Sequence, residues 1–171
     1  MKPAFRRTDS GIRMELEDFE VQLLRDLPAG LRGLLEEPDD DDPVFARLFP
    51  RGVVGDDIAA AELRRMTYED LLRQRLVGLE ALGAILDRGE PLRSNRLRVE
   101  LVDDEPELVL GVINDVRLTL GVRAGIEHLD RDDIDEDHPA AAMLAVMDHL
   151  AWLQEQLLEV LDPPSVRHYE G

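Results

Sequence analysis

A chain of 171 residues, 44% apolar and 34% charged, has the length and composition of one globular domain with a core of its own. It holds no cysteine, which excludes disulfides, a thiolate nucleophile and a Cys-based zinc site within these residues. A formal net charge of −18 repels phosphate backbones and disfavours sequence-independent nucleic-acid binding, while aromatics at 4% leave the core to Leu, Val and Ala.

The opening Met1-Lys2-Pro3-Ala4-Phe5-Arg6-Arg7 lacks the apolar segment of a signal peptide. No later run approaches the roughly 20 apolar residues that a membrane span needs, so a cytoplasmic protein is expected. Phe5 to Met14 reads as two strands around a turn, with Gly11 supplying positive φ and Asp9 and Ser10 bonding locally to the backbone. From Glu17 the period changes to three or four: Leu16, Phe19, Leu23, Leu27, Leu31 and Leu34 predict an amphipathic helix, with a kink or break at Pro28. An acidic loop over 36–43 ends it.

After an apolar piece around Phe45–Phe49, Arg51 to Asp57 opens a helix that runs through Met66. Thr67-Tyr68-Glu69-Asp70 reads as a capping box that starts a separate helix. Leu71, Leu72, Leu76, Leu79, Leu82, Ile85 and Leu86 form its stripe, and Gly89 is expected as its left-handed C-terminal residue. The alternation Arg96-Leu97-Arg98-Val99-Glu100-Leu101 predicts a strand near 96–102 that pairs with the N-terminal hairpin, because an isolated hairpin is marginal.

A further helix starts at Asp103 or Asp104 with Pro106 in its first turn. It is apolar nearly all round and is expected at the centre of the fold, with close helix–helix approach offsetting the cost of Gly111 and Gly121. A second acidic loop spans 130–138, and Pro139 opens the last helix. There Met143, Val146, Leu150, Leu153, Leu157 and Val160 step at heptad spacing, with Trp152 beside the seam, until Asp162-Pro163-Pro164 stops it. The expectation is thus a mainly α fold: a single helical domain over 1–171 with a small two- or three-stranded antiparallel sheet.

The motifs that carry chemistry are sparse. The acidic loop fails the calcium-loop pattern whether counting starts at Asp130 or Asp133, because the glycine and the distal glutamate are missing. His128, His138, His149 and His168 form no zinc-binding pair, and Ser10, Ser94 and Ser165 lie in loops or the tail without a nucleophile-elbow sequence. No glycine-rich phosphate loop follows a strand. No catalytic residue, cofactor or metal site is nominated.

Three groups remain. Asn114, Asp115, Arg117 and Arg123 interrupt the most apolar helix and require partners, either in a structural network or at a ligand or partner contact. Met143, Val146, Leu150, Trp152, Leu153 and Leu157 are candidates for an interface in a homodimer, with intramolecular core as the other reading. Between Leu63 and Arg98 eight arginines face five acids, and Arg64, Arg65, Arg73 and Arg75 are the candidates for an anion or DNA contact, against pairing with acids of the same chain.

The run Ile113-Asn114-Asp115-Val116-Arg117-Leu118-Thr119-Leu120-Gly121-Val122-Arg123, with His149-Leu150-Ala151-Trp152-Leu153-Gln154-Glu155, resembles an actinobacterial family formerly carried as a domain of unknown function and now named for oxidative-stress regulation. The likeness extends over most of the chain, including the strand-like opening and the Thr67–Arg75 segment, and its motifs are of packing type. It implies a cytoplasmic transcriptional regulator acting through protein contacts, with the transcription machinery as the expected partner. A chain without cysteine departs from any thiol-based sensing: this member senses otherwise or does not sense redox state. The leading expectation is a non-enzymatic regulatory homodimer working through protein partners. The alternatives are a direct DNA-binding regulator using the arginine-rich 64–98 region, and a small-molecule binding protein or enzyme with a pocket near Asn114 and Arg117.

Overall fold

A computed structural model describes residues 2–50 and 58–162. Two strands open it, β1 (Phe5–Thr8) and β2 (Gly11–Glu17), paired antiparallel with Thr8 opposite Gly11. Gly11 has φ +148°, and a Cβ there would stand 2.4 Å from the Leu101 carbonyl oxygen, so strain and space both demand glycine. The strand β4 (Arg96–Leu101) pairs antiparallel with β2, so the predicted hairpin-plus-strand sheet is present. One strand more than expected completes it. β3 (Glu90–Leu92) adds to β4 in the order β1-β2-β4-β3. Three residues with one apolar side chain leave no periodic trace, and Pro91 is accommodated because β3 is an edge.

The sheet's two faces follow from period two. Ile12, Met14, Leu16, Val99 and Leu101 are buried on one. On the other, register sets opposite charges across β2 and β4: Arg13 against Glu100, Glu15 against Arg98, and Glu17 against Arg96. The pairs close at 2.5 Å, 3.0 Å and 3.2 Å.

α1 (Asp18–Glu36) runs through Pro28 without the expected break. Its buried face is Glu20, Leu24, Pro28, Leu31 and Leu35, one step round from the predicted stripe, and Phe19 is half exposed. Pro28 therefore gives up one backbone bond but turns its apolar ring into the core. α2 (Pro43–Leu48) is capped by Asp42, whose carboxylate accepts the Val44 N–H at 2.9 Å, and buries Val44, Phe45 and Leu48.

α3 (Ile58–Asp87) is a single 30-residue helix where two were expected. The Thr67 hydroxyl donates to the Leu63 carbonyl one turn back at 2.8 Å instead of capping a new start. The predicted opening at Arg51–Asp57 lies outside the described residues. Gly89 is not left-handed: among the described residues the positive-φ glycines are Gly11 and Gly125, and a Cβ on Gly89 would collide with the Leu97 side chain at 2.6 Å. Close approach explains it.

α4 (Glu105–Ala124) occupies the centre, packed against α1, α2, α3 and the last helix, with Val109, Val112, Ile113 and Val116 buried. Gly125, at φ +64°, ends it. A Cβ on Gly121 would meet the Met147 side chain at 3.3 Å, so close approach holds there. Gly111 is exposed with nothing within 4 Å, so for it the expected compensation is absent. Two short 3-10 turns, Ile126–His128 and Arg131–Asp133, lie between α4 and α5, the second within the acidic 130–138 stretch. α5 (Ala141–Leu161) begins two residues after the expected Pro139. Among the described residues no helix is long and apolar enough to cross a membrane.

Candidate functional site

The polar residues of α4 do not form one network. Each ties the central helix to a different neighbour. Asp115 lies 3.4 Å from Arg75 of α3, close enough to pair charges but without a hydrogen bond to the Arg75 Nε. Burial pushes the Asp115 carboxyl above the usual aspartate range, opposed by the Arg75 charge. Arg75 also stacks 5.0 Å over the Phe49 ring. Arg123 grips both oxygens of Asp42, at 3.1 Å and 2.7 Å, and thereby ties the last turn of α4 to the N-cap of α2. This pair and the Val44 N–H hold the Asp42 carboxyl below its ordinary range.

Arg117 differs. Its Nη1 donates to the Gln154 side-chain oxygen of α5 at 2.5 Å, and its Nε is buried without a partner. The half-buried Arg13, Arg75, Arg96 and Arg98 each hold a carboxylate. Among the described residues none pairs with Arg117.

Arg117 lines a cleft of about 590 Å³, open to solvent along one side. The floor is a stripe of α4 at helical spacing, Asn114, Arg117, Leu118, Gly121 and Val122. Pro43, Ala46 and Arg47 of α2 make one wall; Ile126, Glu127 and His128 of the 3-10 turn, with Met147 of α5, make the other. The body of the cleft is apolar, with two guanidinium groups, one amide, one carboxylate and one imidazole along its lining. A second opening of about 680 Å³ runs between α2 and α3, lined by Phe45, Phe49, Tyr68 and Leu71 and by Arg64 and Arg65, beside Pro50 where the described chain breaks off.

The other candidates fall as follows. Arg65 bonds Glu62 and Glu69 on its own helix, and Arg73 bonds Asp70. Arg64 also has an interaction partner. Arg88 holds Glu105, and Arg96 and Arg98 share Glu15. Six of the eight arginines between Leu63 and Arg98, all but Arg64 and Arg93, are thus seen paired with acids of the same chain. Of the heptad stripe, Leu150, Leu153 and Leu157 are fully buried in the chain's own core. They are not surface in this fold. Met143, Val146 and Trp152 are half-buried.

Two clusters escaped the sequence reading. Glu20 is buried, accepts the Glu17 N–H at 2.7 Å, and lies 2.7 Å from His149 Nε2, with Phe19 and Trp152 flanking the imidazole at 5.1 Å and 5.3 Å. The buried acid sits 129 residues from its partner, so no local pattern announces the pair. Arg47 and Met147 of the cleft were missed because each belongs to a different element from the α4 stripe. Of the α4 stripe the sequence marked Asn114 and Arg117, as polar interruptions of an apolar helix, but not Leu118, Gly121 and Val122 as lining beside them.

With this geometry in view, the chain can be placed. It belongs to the family described as a domain of unknown function, DUF2017, which matches residues 1–161. It is 26% identical over 184 aligned positions, covering 87% of this chain and 81% of the relative, to the oxidative stress regulator AosR of Mycobacterium tuberculosis. The protein of the same name from Mycobacterium bovis matches to the same extent. No solved structure matches the chain at a significant level.

Proposed function

We propose that the chain is a non-enzymatic regulatory protein of an oxidative-stress response, acting in transcription through contacts with other proteins. The observation that supports this most is the match along nearly its whole length to relatives named oxidative stress regulators. The ion pairs agree with it. Asp115, Asp42, Glu15 and Glu105 are engaged by arginines that fasten one element to another, which is the work of a scaffold. With no cysteine in these residues, the oxidative signal reaches the protein by a route other than a thiol of its own.

Protein contact is favoured over direct DNA contact because Arg65, Arg73, Arg75, Arg88, Arg96 and Arg98 already hold carboxylates in a chain of net charge −18. Deleting the gene in its host and profiling transcripts with and without peroxide tests the reading. A changed set of peroxide-responsive transcripts, restored by the wild-type gene, is expected; an unchanged profile overturns it. Purified protein is expected to leave labelled DNA from the responsive promoters unshifted at physiological salt. A shift abolished by Arg73→Ala with Arg75→Ala transfers the mechanism to DNA contact.

A further inference from the structure

We infer that the cleft on α4 is a binding site for a small organic monoanion, a carboxylic acid with an apolar body, held by Arg117 and Arg47. This stands on the cleft itself and does not depend on the regulatory reading.

Charge comes first. The lining carries Arg47 and Arg117 against Glu127, one net positive charge with histidine neutral, inside a chain of −18. Among the described residues neither arginine has a carboxylate, although acids outnumber bases 38 to 20. Half-buried Arg13, Arg75, Arg96 and Arg98 each have a carboxylate, whereas Arg117 has a neutral amide; its Nε, like those of Arg75 and Arg96, is buried without a hydrogen-bond partner. A half-buried guanidinium gains more from an anion than from a neutral amide, and an anion that enters the cleft supplies the charged partner that the chain does not. One net charge in the lining matches a monoanion better than a polyphosphate.

Shape and polarity narrow the class. The volume of about 590 Å³ falls in the range of roughly 300–1,000 Å³ that small-molecule sites occupy. Leu118, Val122, Ile126 and Met147 offer apolar surface to the body of the ligand, and Asn114 adds a donor and an acceptor near Arg117 on the same helical stripe. The walls are braced before anything binds. Asp42 and Arg123, next in sequence to the lining residues Pro43 and Val122, join α2 to α4 through two hydrogen bonds, and Gly121 lets Met147 close the α5 side.

The test uses the full chain, labelled with nitrogen-15, titrated with 2-naphthoate and separately with its neutral methyl ester. Saturable shifts of the Arg117 Nε–H and of the Gly121 and Gly125 amides are expected with the acid, and about tenfold weaker binding with the ester, the size of one charge-assisted hydrogen bond. Arg117→Gln is expected to weaken the acid and leave the ester unchanged, so that the acid's advantage shrinks to the share supplied by Arg47. Should that variant fail to fold, Arg47→Gln, at an exposed position, is expected to weaken the acid alone by several-fold. No saturable shift up to solubility, or equal binding of acid and ester by the wild type, overturns the inference.

Discussion

At the scale of single residues, what a side chain contributes depends on the partner it would leave behind. Glu20 is 2% exposed and depends on His149 and the Glu17 N–H for compensation. His149→Ala removes the imidazole and the contacts to Phe19 and Trp152 while leaving the carboxylate inside. A loss of about 3 kcal/mol in urea unfolding is expected, in the range for breaking one side of a buried pair. A loss under about 0.5 kcal/mol would show that water already serves the acid. Asp115 gives a prediction in pH. Its folded pKa is raised above the ordinary 3.8 by burial, so the native state holds its proton more tightly than the unfolded chain. Stability from this group is then greatest at low pH and falls as pH climbs from that value through the raised folded one. Asp115→Asn lacks this titration. The stability of wild type minus variant should decline with rising pH across that window; a difference that grows would mean that the Arg75 charge outweighs burial.

At the scale of elements, the sequence disclosed periodicity well and continuity poorly. β1, β2, β4, α4 and α5 were readable from period two or from a sustained apolar run, and the polar residues that interrupt the run in α4 marked Asn114 and Arg117. The boundary at Thr67 was a local capping signal overridden by packing further along the helix, where Leu79, Leu82, Ile85 and Leu86 bury. Pro28 misled in the same direction, because a proline's cost is local while the burial that offsets it comes from other elements. The contributions of α2 and of Met147 in α5 to the two walls of the cleft were invisible because both elements reach it only through tertiary contact. Thr67→Ala tests the helix directly. An exposed threonine inside a helix gives way to the better helix former, with a gain of about 0.5 kcal/mol expected. Were Thr67 an N-cap, the same change would cost about 1 kcal/mol, so the sign of the shift in denaturant midpoint decides. For α5, Leu150→Asp is expected to unfold the chain, since Leu150 is fully buried in the chain's own core and an unpaired charge there costs several kcal/mol. A folded protein of reduced mass in light scattering, with its circular dichroism intact, would return the stripe to an interface.

At the scale of the whole molecule, two electrostatic effects oppose each other. The ion pairs across β2 and β4 and between α4 and its neighbours are native attractions that salt weakens, and the exposed ones are each worth about 0–1 kcal/mol at most. Against them stands the surplus of 18 negative charges (38 acids less 20 bases), drawn closer together by folding than in the open chain. The best pairs are partly shielded: Glu15 and Arg96 are 12% and 10% exposed, so their attraction is screened less than the surface repulsion. Acidic stretches at 36–42 and 130–137 concentrate the repulsion on exposed chain, where added ions reach it fully. Repulsion therefore responds to salt more than attraction does. The melting temperature should rise as sodium chloride increases from about 0.01 M to 0.5 M, a span in which the screening length shrinks from about 30 Å to under 10 Å. A fall over that interval, measured by calorimetry at neutral pH, would mean that the ion pairs rather than the acidic surplus set the balance of the fold.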